Sequence, residues 1–475
     1  MTEALDKQRL FDSLPPAWPQ PLLPEIRARI AAAAERFVIL DDDPTGGQTL
    51  HGLPVLAAWD PETLTREVER SAAFFVLTNS RALREPEAVA VARDVGRNLR
   101  DVQQRTGRGL AVGYRGDSTL RGHFPAETDA LYAALAGRED ARPACIFAPY
   151  FAEGGRFTIN DTQYVQQGSR LVPAAETEFA RDPSFGYTHS HLPSWLEGRT
   201  QGRIRARDIV SVTVDDVRLR GPEAVAAKLR TVPEGGIAVV NAAADRDLEV
   251  FIAGLLDAEA AGSRFLYRTA ASFVRVRAGI EPRPLLTSDD LPSTGEAGLI
   301  VVGSYVDRTT QQLDALLATD GTTGVQLSVS ALLDDAGAEV SRVATAVSNA
   351  MITGGDVVLY TSRELVHAAA GLDSLAIGDR ITTALCDILA RLESRPGFLV
   401  VKGGSTAHGI ATRGLGMQRA IVLGQLLGGV PVWQLGPEGK YPDLPYVVFP
   451  GNVGGPDDLA RAVRILRGCD DARPR

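Results

Sequence analysis

Two α/β domains, each built on a mainly parallel sheet, are what this sequence predicts, on three observations. A chain of 475 residues exceeds what one hydrophobic core usually organises. Short apolar runs of β-forming residues alternate with longer helix-like segments along most of it, the signature of α/β units. The alternation breaks once, at Ile280–Gly298, where Pro282, Pro284 and Pro292 stand among glycine, serine and aspartate, and then restarts.

An arm, residues 1–29, comes first. Within it Pro15, Pro16, Pro19, Pro21 and Pro24 fix φ and remove backbone donors, so residues 14–24 are expected to lie irregularly on the surface. The first domain spans 30–280. Phe37–Leu40, Phe74–Thr78, Leu110–Tyr114 and Cys145–Ala148 read as its strands, with helices over 85–104 and 126–135. In Ile209–Arg275 the clearest strand is Ala238–Val240, and chain order alone assigns this stretch to the first domain. Residues 281–297 read as the linker. The second domain, 298–475, has strand-like runs at Leu299–Val302, Val325–Val329, Val357–Tyr360, Phe398–Val401, Val430–Trp433 and Tyr446–Phe449, with helices near 308–318, 374–393 and 456–467.

A net charge of −9 argues against broad binding to nucleic acid, which needs a basic surface to neutralise phosphates. Cys145, Cys386 and Cys469 are too few and too scattered for a disulfide framework or a zinc cluster, and the histidines show no metal-binding spacing. No metal cluster is therefore expected. The acidic N-terminus carries no secretory pattern and no apolar run approaches the ~18 residues of a spanning helix, so a cytoplasmic protein without membrane contact is expected.

In open α/β sheets ligands bind at the carboxyl ends of strands, which makes the residues following each strand the place to look. After Phe37–Leu40 come Asp41, Asp42, Asp43, Pro44, Thr45 and Gly46, a run of carboxylates whose mutual repulsion must be offset by a cation or a ligand. Good turn chemistry is the plainer reading of the same residues. After Leu110–Tyr114 come Arg115, Gly116, Asp117, Ser118, Thr119, Leu120 and Arg121. Guanidinium groups suit a carboxylate and the Asp, Ser and Thr side chains suit hydroxyls, although a solvated, ion-paired turn would have this composition too. Arg81 follows a third strand at the same expected edge.

The second domain offers backbone instead. Gly303-Ser304, Lys402-Gly403-Gly404-Ser405-Thr406 and Gly451-Asn452-Val453-Gly454 each follow a strand, and such turns present amide N–H groups to phosphates. No Gly-x-x-x-x-Gly-Lys-Ser/Thr is present, and Gly414-Leu415-Gly416 meets Arg419 where a dinucleotide fold needs glycine.

These residues resemble the four-carbon acid sugar kinases nearly end to end, from Phe37 to about Leu466. The resemblance rests on Asp42-Asp43-Pro44-Thr45-Gly46, Ser80-Arg81, Asp117-Ser118-Thr119-Leu120-Arg121-Gly122, Gly155-Arg156, Gly403-Gly404 with Thr406, Gly429-Val430-Pro431-Val432-Trp433 and Gly451-Asn452-Val453-Gly454. It implies an N-terminal substrate domain, a C-terminal ATP domain, an active site in the cleft between them, and transfer of the γ-phosphate of ATP, with Mg²⁺, to a terminal hydroxyl of a tetronate or 3-oxo-tetronate. Carried over by position, Asp42, Asp43, Thr45, Arg81, Arg115, Asp117, Ser118, Thr119 and Arg121 are expected to hold the acid. Ser304, Lys402, Gly403, Gly404, Ser405, Thr406, Gly451, Asn452 and Gly454 are expected to hold the nucleotide.

The chain departs from the family pattern at Arg115, where many members have Lys, at Ser405, where many have an acid, and at Phe449-Pro450, where many have Lys-Ser; Lys402 is the candidate to replace that lost charge. The departures suggest a divergent branch acting on a related branched acid such as 3-oxo-isoapionate. Asp117 is the first candidate to orient or deprotonate the acceptor hydroxyl and Asp43 the second. Two rivals stay open: a haloacid-dehalogenase-type phosphatase, because Asp41-x-Asp43-x-Thr45 follows a strand, and a non-catalytic sugar-acid binding protein. The oligomeric state, a homo-oligomer included, is left open.

Overall fold

The computed structural model describes residues 4–47, 49–142, 144–292, 296–303, 306–363 and 374–469. Two compact units emerge: Met1–Gly46 with Ala58–Pro282, and Gly47–Ala57 with Arg283–Arg475.

In chain order the first unit contains β1 (Leu5–Asp6) and β2 (Arg36–Asp41); the chain then gives β3 (Pro54–Leu56) to the second unit and returns for β4 (Ala73–Leu77), β5 (Leu110–Arg115), β6 (Ala144–Ala148), β7 (Arg156–Ile159), β8 (Thr162–Gln167), β9 (Arg170–Pro173), β10 (Val210–Val212), β11 (Ile237–Val240) and β12 (Phe265–Thr269). The main sheet runs β10-β11-β6-β12-β5-β2-β4, with every neighbouring pair parallel. β4 and β6 are buried along their whole length, as strands covered on both faces must be, which is why they read as unbroken apolar runs. Helix Glu85–Thr106 buries Ala88, Ala92, Val95, Leu99 and Val102, one stripe at helical spacing, and packs beside helix Ala126–Ala136. A separate antiparallel sheet, β1-β9-β8-β7, carries the start of the chain.

The arm is more ordered than its prolines suggest. Residues 14–22 form no helix, but Lys7–Asp12 and Leu23–Ala32 do, and Pro24 sits in the first turn of the latter, where no N–H is needed. Arg218 donates to the Pro15 carbonyl at 2.8 Å and Glu249 accepts from the Leu22 amide at 2.7 Å, which fastens the arm to its unit.

In the second unit lie β13 (Leu299–Val302), β14 (Thr322–Leu327), β15 (Asp356–Thr361), β16 (Leu399–Lys402), β17 (Arg419–Leu427), β18 (Val430–Leu435) and β19 (Pro445–Phe449). Their order is β3-β17-β18-β19-β16-β13-β15-β14, antiparallel as far as β19 and parallel beyond it. Residues 47–57, which the sequence reading kept in the first domain, belong here because Pro54–Leu56 pairs with Arg419–Ile421 of β17. The strand expected at Val325–Val329 ends at Leu327, and Val329 instead opens a helix capped by Ser328.

Candidate functional site

Four adjacent strands of the first unit, β12-β5-β2-β4, end in register. Asp41 is paired with Arg115 on one side and Leu77 on the other, and Arg115 with Thr269. The polar runs that follow these strands are thereby brought to one edge, where Arg81 is the hub. It donates to Asp43 and lies 3.8 Å from Asp42 Oδ1 and 3.7 Å from Asp117 Oδ1. Asp117 Oδ2 accepts from Arg121 Nε at 2.7 Å and from the Thr119 hydroxyl. Asp43 Oδ1 accepts from the backbone N of Thr45 at 2.8 Å and from its hydroxyl at 2.6 Å. The Ser118 and Thr119 carbonyls are fixed by Gln163 and Tyr187, at 2.8 and 2.7 Å.

These contacts set the charges. Burial alone would raise Asp43, but Arg81, Arg115 and the Thr45 hydrogen bonds outweigh it and hold the carboxyl at about 2. Burial is likewise outweighed at Asp117 by Arg81 and Arg121, which keep it well below the usual carboxylate range. Asp41 goes the other way: burial, with Asp42 and Asp43 adding to it against the pull of Arg115, pushes it up to about 8.

Some valences at this edge are left over. Arg115 Nε and Nη1, Asp42 Oδ1 and Arg156 Nε are buried without a hydrogen-bond partner among the described residues. Buried polar groups are nearly always satisfied, so these point to a polar ligand. Arg156, one of the residues that carry the family resemblance, is not among the expected site residues. It comes from β7 and stacks with Arg121 on the ring of Phe179, at 5.3 and 5.2 Å from the centroid. Arg268 of β12, which donates to the Arg121 carbonyl at 3.1 Å, lay inside a run that offered no local signal.

In the second unit the consecutive strands β19-β16-β13-β15 end together, so the glycine-rich turns after three of them share one edge. Gly303 approaches Thr406 so closely that a Cβ on it would lie 2.9 Å from the Thr406 hydroxyl oxygen. Gly403 caps helix Gly404–Gly409 with φ 114°, a conformation for glycine. Ser405 and Asn452 are exposed there; Ser304 lies outside the described residues. The turn Pro450–Gly455 is held by side chains: Thr309 donates to the Gly451 carbonyl at 3.1 Å, Gln312 to Val453 at 3.1 Å and Gly455 at 2.8 Å, and Arg308 to Gly454 at 2.7 Å. Lys402, expected to meet phosphate, is wholly buried and donates to the Pro450 carbonyl at 2.6 Å over the Phe449 ring. Arg363, after β15, donates to Thr310 at 2.9 Å, and its buried Nη1 has no hydrogen-bond partner among the described residues.

A model of a sugar-binding N-terminal domain matches residues 37–277, and one of a nucleotide-binding C-terminal domain matches residues 299–459. The chain belongs to the four-carbon acid sugar kinase family. It is 25% identical over 467 residues to the D-erythronate kinase of Heliobacterium modesticaldum, covering 90% of this chain and 96% of that protein. Haemophilus influenzae protein HI1011 shares the fold at TM-score 0.63 and 17% identity, over 90% of this chain and 100% of that one. A protein of Salmonella typhimurium LT2 does so at TM-score 0.66 and 19% identity, over 90% and 98%. Among the described residues no helix is long and apolar enough to cross a membrane.

Proposed function

We propose that the chain is an ATP-dependent kinase that phosphorylates a terminal hydroxyl of a small four-carbon sugar acid, a tetronate or 3-oxo-tetronate. The observation that carries this reading is the set of unpaired, buried valences in the unit matched as sugar-binding. Arg115 and Arg156 offer donors to a carboxylate or hydroxyl, and Asp42 offers an acceptor to a hydroxyl. A substrate bearing both groups answers both demands, whereas a simple carboxylate would leave Asp42 unsatisfied. The partner unit, matched as nucleotide-binding, supplies three glycine-rich turns at one sheet edge.

Phosphoryl transfer asks a protein chiefly to position the reactants and neutralise charge. Arg81, held by Asp43 and Asp117, orders the acid-binding edge. The turns at Gly403 and Gly451 would cup the phosphates with amide N–H groups, and Arg363 Nη1 lies at the same edge without a hydrogen-bond partner among the described residues. No cluster of three or more metal-ligating side chains occurs among the described residues, Ser405 stands where many members carry an acid, and Asp458 is engaged by the Gly455 amide at 2.7 Å.

The departures at Arg115, Ser405 and Phe449-Pro450 favour extending the substrate range to branched acids such as 3-oxo-isoapionate. ADP formation measured across tetronates, 3-oxo-tetronates and branched apionate derivatives tests the reading. Turnover with at least one of them is expected; ATP binding without ADP formation on the whole panel would leave a binding protein instead.

A further inference from the structure

Asp42 follows β2 and is 2% exposed. Among the described residues its Oδ1 has no hydrogen-bond partner, though Arg81 Nη1 lies 3.8 Å away and Arg115 Nη1 4.0 Å away. Arg115 Nη1 is itself buried without a hydrogen-bond partner among the described residues, with Asp41 Oδ1 at 3.6 Å as its nearer carboxylate oxygen. Donor and acceptor are thus held too far apart to bond each other and close enough to share one intervening atom. A hydroxyl is the substrate group that fits between them, because it gives its proton to one and accepts from the other at once. Asp42 is faced by Arg81 beyond β4, by Arg115 and Tyr114 of β5, by Glu127 of the helix beginning at Ala126, and by Asp41 at the end of β2. The two positive neighbours keep a carboxylate here from being isolated.

The other carboxylates are occupied differently. Both oxygens of Asp43 are taken, one by Thr45 and one by Arg81. At Asp117 one oxygen is taken by Arg121 and Thr119 and the other faces Arg81.

We infer that Asp42, and neither Asp43 nor Asp117, accepts the proton of the hydroxyl that is phosphorylated. This rests on the kinase reading above. As the new bond forms between the substrate oxygen and the γ-phosphorus, the O–H bond breaks and its proton passes to Asp42 Oδ1. The bond from the γ-phosphorus to the β–γ bridging oxygen breaks, its electron pair leaves with ADP, and Asp42 later returns the proton to solvent. Arg115 orients the hydroxyl, and Asp117 is a positioning residue that acts through Arg81 and Arg121.

The test compares Asp42→Asn, Asp42→Ala and Asp117→Ala in the full chain, on whichever acid the unsubstituted enzyme turns over. Asp42→Asn is expected to lower kcat by at least about a hundredfold, the scale of general-base catalysis, while the KM for ATP stays within about threefold. Formate is expected to restore turnover to Asp42→Ala and not to Asp117→Ala, a rescue that a merely structural role would not produce. A kcat for Asp42→Asn within about threefold of the unsubstituted enzyme overturns the assignment. So does a folded, ATP-binding Asp42→Ala that formate leaves inert. Should Asp42→Ala lose its cooperative thermal transition, the isosteric Asp42→Asn decides alone. An unsubstituted chain inert on the whole panel defeats the kinase reading itself, a different result from any of these.

Discussion

The ammonium of Lys402, at the end of β16, donates to the carbonyl of Pro450, just past the end of the neighbouring β19, across 2.6 Å. It ties one glycine-rich turn to the next. Burial, with Arg308 adding to it, pushes this ammonium down to about 7. The folded state therefore binds its proton less readily than the unfolded chain, and the group's drag on stability lessens as pH rises from about 7 to 10.5. Lys402→Met removes the buried charge at similar length, so thermal unfolding at pH 7 is expected to be unchanged or slightly raised. The Pro450–Gly455 turn loses an anchor, and the KM for ATP is expected to rise about tenfold, equivalent to about 1.4 kcal/mol. An unchanged KM would mean the turn stands without Lys402.

Arg81 reaches Asp43 with one guanidinium nitrogen while another faces Asp42 and Asp117. A lysine keeps the charge but cannot span these carboxylates. Arg81→Lys is expected to fold and to raise the KM for the sugar acid more than tenfold while sparing that for ATP. Arg81→Ala leaves partly buried carboxylates uncompensated and is expected to cost on the order of 3 kcal/mol in denaturant unfolding.

Asp41 supplies a pH signature. Its folded carboxyl titrates near 8 against an ordinary 3.8, so the folded state keeps a proton that the unfolded chain gives up. Its contribution to stability is full below about pH 4 and is lost as pH rises through about 8. Asp41→Asn mimics the protonated form. The gap in unfolding midpoint, variant minus unsubstituted chain, is expected to widen from pH 6 to about 9. A gap independent of pH would place the proton elsewhere in the Asp41–Asp43 run.

Gly403 sits at φ 114°, where a side chain strains the backbone. Gly403→Ala is expected to destabilise the chain by about 1–3 kcal/mol and to weaken ATP binding, read by calorimetric titration. Full ATP affinity in a folded variant would show that this turn does not touch the nucleotide.

Much of this was legible in the sequence because the apolar runs of buried parallel strands stand out and the polar clusters directly follow them. Asp41–Asp43, Arg81 and Arg115–Arg121 announced themselves in this way, as did the turns at Gly403 and Gly451. Arg156, Phe179, Arg268 and Arg363 did not. They arrive from distant elements, and no local spacing marks where a guanidinium will point. Lys402 shows the same limit: its position after a strand was readable, but that its ammonium turns inward to Pro450 depends on the path of β19. β17 was not among the expected strands, although Arg419–Leu427 buries alternate residues through most of its length. The grouping of 47–57 with the second unit is a matter of long-range pairing that periodicity cannot reveal.

The most direct measurement of the central claim is ³¹P NMR of the complete chain incubated with ATP, Mg²⁺ and each candidate acid. The account predicts that the γ-phosphate signal is replaced by a phosphomonoester on the sugar acid, with ADP formed in equal amount and only when the acid is present. Inorganic phosphate appearing in place of the ester, or ADP formed equally well without any acid, would contradict it.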